Sequence, residues 1–131
     1  MGQAQKPRVL LIDDDEEFGE LTVRRLRHLG FELDFHKGPF GATKAIMSGG
    51  YQVVLLDVNM PALSGAALLE IMRKQGSLRA LRVLFYSSAD GLAELAKKFG
   101  ADGYLSKGAS QEELSAAISA ALDVKPPGDG G

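Results

Sequence analysis

The chain has 131 residues, a net charge of −2, two histidines (His28 and His36) and no cysteine. A single domain of this length buries roughly two-thirds of the surface its unfolded chain exposes, so it folds without a disulfide or a structural metal. The missing cysteines exclude disulfides, thiol nucleophiles and cysteine zinc sites, and the scattered Lys and Arg leave no basic stripe for nucleic acid.

Residues 1–7 read as a polar tail. The run "RVLLI" (8–12) reads as a strand and stops at Asp13-Asp14-Asp15. Its apolar part is far too short for a signal core or a membrane span, which makes the cytoplasm the default compartment. Met1-Gly2 is not followed by Ser or Thr at position 6, which is Lys6, so the myristoylation motif is incomplete. Residues 16–30 read as a helix with Phe18, Leu21, Leu26 and Leu29 in one broad stripe, ended by Gly30. Residues 31–36, "FELDFH", alternate apolar and polar and read as a strand with one wetter face. A turn over 37–41 leads to a short helix over 42–50, closed by Gly49 and Gly50.

"YQVVLLD" (51–57) is a second buried strand, and it ends on Asp57. Residues 64–76 form a helix with Ser64 as N-cap. A strand over 81–87, a helix over 93–100 and a short strand over 102–107 follow. The last helix, 110–122, opens with the capping box Ser110-x-x-Glu113 and carries the stripe Leu114, Ala117, Ile118, Ala121 and Leu122. Residues 124–131 are a Pro/Gly-rich tail or linker, which suits a stand-alone chain or one cut from a longer protein.

Five β–α units result. Runs such as "VLLI" and "VVLL" do not alternate, which indicates strands covered on both faces; covered strands alternating with helices imply a parallel sheet with right-handed crossovers. The expected fold over residues 8–123 is a doubly wound α/β domain with a five-stranded parallel sheet in flavodoxin-like order 2-1-3-4-5. In such sheets the ligand site lies beyond the carboxyl ends of the strands, at the switch point between strands 1 and 3.

Those ends carry Asp13, Asp14 and Asp15 (strand 1), Asp57 (strand 3), Ser87 (strand 4) and Lys107 (strand 5). Carboxylates about 4 Å apart repel by on the order of 4 kcal/mol at an effective dielectric near 20, so convergence calls for a proton or a cation. Oxygen donors without His or Cys favour a hard cation, Mg²⁺ or Ca²⁺. A hydroxyl and an ammonium beside them suit the remaining oxygens of a phosphoryl group, and Asp is an established covalent acceptor.

With these residues in place, the chain resembles the receiver domain of bacterial two-component response regulators over about residues 8–123. The resemblance is carried by Asp13-Asp14, by Asp57 with Met60-Pro61 and Gly65, by Ser87 and by Lys107. The steps of 43, 30 and 20 residues from Asp14 to Asp57, Ser87 and Lys107 also match. It implies that Asp57 is the phosphoacceptor and takes a phosphoryl group from a sensor histidine kinase or a phosphotransfer protein. It implies Mg²⁺ held by Asp13, Asp14, Asp57 and the Asn59 backbone carbonyl. Ser87 would donate to the phosphoryl group, Lys107 would pair with one of its oxygens, and Tyr104 would be the aromatic switch that turns inward. The surface of helix 4, strand 5 and helix 5 would serve a downstream output protein or a fused output domain, or a homodimer. Neither nucleic acid nor membrane is an implied partner of this domain.

The chain departs from the family pattern at Gly108, where proline usually follows the lysine. A trans, differently shaped loop is expected there, because a non-proline cis bond costs roughly 3 kcal/mol. Ser87 stands where Thr is commoner, and Ser88 where a small apolar residue is typical.

The bland readings compete residue by residue. One of the three aspartates is expected to cap helix 1; Asp57, Ser87 and Lys107 each read singly as turn, strand-end and surface residues; Tyr104, Phe85, Tyr86 and Phe99 read as packing. Only the combination argues for chemistry. The rival functions are a degenerate receiver acting as a phosphorylation-independent interaction module, a metal-dependent aspartyl phosphatase using Asp13 and Asp15, and a flavin-binding domain. Three aspartates would repel the flavin phosphate.

Overall fold

The structure is a computed structural model that describes residues 6–123. The tail at 124–131 and most of that at 1–7 lie outside the described residues. Strands β1 (Arg8–Asp13), β2 (Glu32–Lys37), β3 (Val53–Leu56), β4 (Arg82–Ser87) and β5 (Gly103–Ser106) form one parallel sheet in the order 2-1-3-4-5. Helices α1 (Glu16–Leu26), α2 (Ala42–Gly49), α3 (Gly65–Arg73), α4 (Leu92–Phe99) and α5 (Gln111–Leu122) connect and follow them.

The unalternated runs explain the layering. Along β1, Leu10 and Ile12 face one core while Val9 and Leu11 face the other, and every residue of β3 is buried. The first core is closed by Ile46 of α2, Leu68, Leu69 and Met72 of α3, and Leu92 and Ala96 of α4. The second is closed by Val23 and Leu26 of α1 and by Leu114, Ile118 and Ala121 of α5. Edge strand β2 is wetter, as its alternation indicated.

Both serine caps form. The Ser64 hydroxyl accepts from Ala67 N, and Ser110 makes the full capping box with Glu113. Helix α1 is shorter than expected. It ends at Leu26, continues as a 3₁₀ turn over Arg27–Leu29, and stops at Gly30 with φ 90°. Its buried side is Gly19, Thr22, Val23 and Leu26, while Leu21 and Leu29 are exposed. The stripe is displaced because the contact needs a glycine: a Cβ at position 19 would sit 2.2 Å from the Phe35 ring. Thr22 tolerates burial because its hydroxyl donates to the Phe18 carbonyl at 2.8 Å.

Candidate functional site at the carboxyl rim of the sheet

Register places the acids. Ile12 of β1 pairs with Leu56 of β3, so the next residues, Asp13 and Asp57, stand side by side at the carboxyl rim. Asp57 N donates to the Ile12 carbonyl at 3.0 Å. Both residues are buried, Asp13 completely. Ser87 closes β4 and is also buried, with its Oγ accepting from Ala89 N at 3.3 Å. Lys107 N donates to the Ser87 carbonyl at 3.1 Å, which starts the lysine at the same rim.

From there the ammonium reaches back across two strands. Lys107 Nζ lies 2.7 Å from Asp13 Oδ2 and 3.5 Å from Asp57 Oδ2, with the lysine side chain only 18% exposed. Asp13 Oδ1 accepts from Asp15 N at 2.9 Å, whereas its buried Oδ2 has the ammonium beside it but no hydrogen bond of good geometry. Burial pushes the Asp13 carboxyl above its ordinary range, against the pull of Lys107 and of the Asp15 N–H; the Asp57 charge adds to the rise. Burial pulls the Lys107 ammonium down, but Asp13 and Asp57 outweigh it and its pKa is raised.

The loop after β3 holds Asp57 from the other side. Asn59 N donates to Asp57 Oδ1 at 3.3 Å, Met60 is buried, and Gly65 N donates to the Val58 carbonyl at 3.0 Å. Gly65 is required by contact: a Cβ there would lie 2.1 Å from the Asp57 carbonyl oxygen and 2.9 Å from its carbon. Gly65→Ala is therefore expected to move the start of α3 off the Asp57 backbone and to cost about 1–3 kcal/mol, read as a lower urea midpoint.

The three consecutive aspartates diverge. Asp13 is still in β1 and points inward, Asp14 is exposed, and Asp15 caps α1 by accepting from Phe18 N at 3.0 Å. Among the described residues no three acidic or histidine side chains stand close enough to hold a metal in this conformation. The donor chemistry nevertheless fits a hard divalent cation: two buried carboxylates already share a positive charge and Asp13 Oδ2 lacks a hydrogen-bond donor of good geometry, while Asp14 follows Asp13 and Asn59 lies two residues past Asp57 in the chain. Tyr104 is 51% exposed on β5, paired in register with Phe85.

At Lys107-Gly108 the peptide is trans, as is every peptide bond among the described residues. Gly108 N donates to Ser106 Oγ at 3.1 Å and Ala109 N to the Ser106 carbonyl at 3.0 Å. The first of these needs an N–H that proline lacks. No sequence pattern marks Ser106. Phe18 belongs by pattern to a helix stripe, yet the Phe18 ring centroid is 4.6 Å from Lys107 Nζ. Its place in the first turn after the strand-1 acids is the one sequence signal for that contact.

The family described as the response regulator receiver domain matches residues 9–119. The transcriptional regulatory protein TctD of Salmonella typhimurium is 32% identical over 117 residues, covering 88% of this chain and 51% of TctD. Protein PilG of Pseudomonas aeruginosa is 29% identical over 129 residues, covering 97% of this chain and 96% of PilG. The crystal structure of response regulator protein TrrA from Thermotoga maritima in complex with Mg²⁺–BeF superposes with a TM-score of 0.79 at 27% identity, covering 88% of this chain and 99% of that one. The chain spans about half the length of several curated relatives that it matches.

Proposed function

Since the chain belongs to the response regulator receiver domain family, a family of signalling proteins, we propose that Asp57 is its phosphoacceptor and that phosphorylation switches a surface for output. One observation carries this reading. Two carboxylates, Asp13 and Asp57, are buried side by side at the carboxyl rim of adjacent strands with one shared cation, the Lys107 ammonium.

In the proposed reaction a carboxylate oxygen of Asp57 attacks the phosphorus of a phosphohistidine on a sensor histidine kinase or phosphotransfer protein. The new O–P bond forms as the N–P bond breaks, and the electron pair leaves on the imidazole nitrogen. Asp13, Asp14, Asp57 and the Asn59 carbonyl would hold Mg²⁺, which when bound neutralises charge on the carboxylates and the phosphoryl oxygens. The structure of TrrA in complex with Mg²⁺–BeF supports the choice of cation. The Asn59 N–H holds one Asp57 oxygen and so orients the carboxylate. Lys107 stays an ammonium and pairs with a phosphoryl oxygen, and Ser87 releases its Ala89 contact to donate to another. With Ser87 drawn in, Tyr104 leaves its exposed position for the interior, altering the surface of α4, β5 and α5.

That surface then engages an output protein, a fused output domain or a second copy of the chain. No helix among the described residues is long and apolar enough to cross a membrane, and the proposed partners place the domain in the cytoplasm. Incubation with Mg²⁺ and acetyl phosphate is expected to give a single acid-stable, base-labile phosphoryl group per chain. No uptake, together with no response to beryllofluoride, would leave the interaction module as the function.

A further inference from the structure

Lys107 is held on three sides, and only two of them are carboxylates. On the third its Nζ lies 4.6 Å from the centroid of the Phe18 ring. An ammonium at that distance is drawn to the negative face of an aromatic ring. Phe18 sits in the first turn of α1 and is half-buried. Its ring leans on Tyr86, with centroids 5.7 Å apart and planes at 46°. Tyr86 is itself buried and immediately precedes Ser87. The ring is thus braced by β4 and fixed along α1 by the Asp15 cap, which accepts from Phe18 N.

Close packing does not by itself fix the lysine. A cavity of about 110 Å³ between α1 and the start of α5 is lined by Phe18, Thr22, Tyr86, Lys107, Ser110 and Leu114. The lysine stem therefore has open space beside it, and its tip is localised by what attracts the ammonium.

From this geometry we infer that Phe18 is a positioning residue of the phosphoryl-acceptor site, its ring face holding the Lys107 ammonium where it meets both Asp13 and Asp57. The kinetic consequence rests on the phosphoacceptor role of Asp57; the placement of the lysine does not. An aliphatic side chain at 18 fills the space but offers no ring face, so the ammonium shifts toward the cavity and toward water. A ring with a hydroxyl keeps the contact.

The test compares Phe18→Leu, Phe18→Met and Phe18→Tyr with wild type. NOEs from the Lys107 ε-methylene to the β-protons of Asp13 and Asp57 in the unphosphorylated protein report where the ammonium sits, whichever side chain stands at 18. They are expected in wild type and Phe18→Tyr and weaken in Phe18→Leu and Phe18→Met. Phosphoryl uptake from saturating acetyl phosphate and Mg²⁺ is expected to slow about fivefold in the aliphatic variants and to stay close to wild type in Phe18→Tyr. A lower melting temperature with unchanged lysine NOEs would make Phe18 mere packing and overturn the inference, as would wild-type uptake in both aliphatic variants. If wild type itself takes up no phosphate, the phosphoacceptor reading falls and the lysine signals alone decide the placement of Lys107.

Discussion

An Asp57→Asn chain is expected to take up no detectable phosphoryl group from acetyl phosphate and Mg²⁺ while remaining folded. The amide is nearly isosteric with the carboxylate, and its oxygen still accepts from Asn59 N, which in the wild-type structure reaches Asp57 Oδ1 at 3.3 Å. What it loses is the anionic nucleophile, because an amide has no carboxylate lone pair to form the acyl phosphate. The structural cost is small. The contact removed is the longer of the two made by the ammonium, 3.5 Å against 2.7 Å to Asp13. One of two buried like charges also disappears, so stability is expected to stay within about 1 kcal/mol of wild type. Mass spectrometry of the intact chain, before and after base, reads the result. Wild-type uptake by Asp57→Asn would move the acceptor elsewhere on the rim. Sustained phosphate release that depends on Asp13 would favour the phosphatase reading.

The reach of the sequence differs between sheet and site for a physical reason. Unalternated runs such as Val53–Leu56 have one stable placement, a strand covered on both faces, and two cores on opposite sides of the sheet follow from that. Strand ends then fix which residues reach the rim. Helix α1 is harder, because its buried side is set by a glycine against Phe35 and by a threonine whose hydroxyl is satisfied within the helix; neither registers as apolar. At the site, adjacency in sequence misleads. Asp13, Asp14 and Asp15 look like one acidic cluster, but a strand ending and a helix beginning within three residues send them inward, outward and onto a cap. Lys107 and Phe18 are separated by most of the chain, and no local pattern announces a ring beside an ammonium. Tyr104 on short β5 is exposed, a position that β5's sequence alone did not determine.

Lys107→Met should produce the largest change in stability. The substitution keeps the length of the stem and removes the cation shared by two buried carboxylates. Removing one partner from a buried ion pair leaves charge uncompensated and typically costs 3–5 kcal/mol; with the lysine side chain 18% exposed, water screens part of this, and about 2–4 kcal/mol is expected near neutral pH. The pH dependence identifies the cause. Burial already holds the Asp13 carboxyl above its ordinary value of 3.8, and Lys107 is the main group drawing it down. Without the ammonium it rises further. A carboxyl whose folded pKa is raised adds stability below its unfolded pKa and loses it as pH climbs through the folded value. The deficit of Lys107→Met is therefore expected to be small below pH 3.8 and to grow through the weakly acidic range. At the alkaline end the wild type behaves oppositely to the variant. Its lysine, raised above 10.5 by Asp13 and Asp57 against burial, adds stability that persists below 10.5 and is lost above the folded value; the variant has no such loss. Urea unfolding at a series of pH values measures both limbs. Millimolar Mg²⁺ should recover part of the neutral-pH deficit if the carboxylates accept a divalent cation in the ammonium's place. A deficit that stays flat from acid to neutral pH would mean that Lys107 stabilises the fold through its stem, and that Asp13 and Asp57 do not depend on its charge.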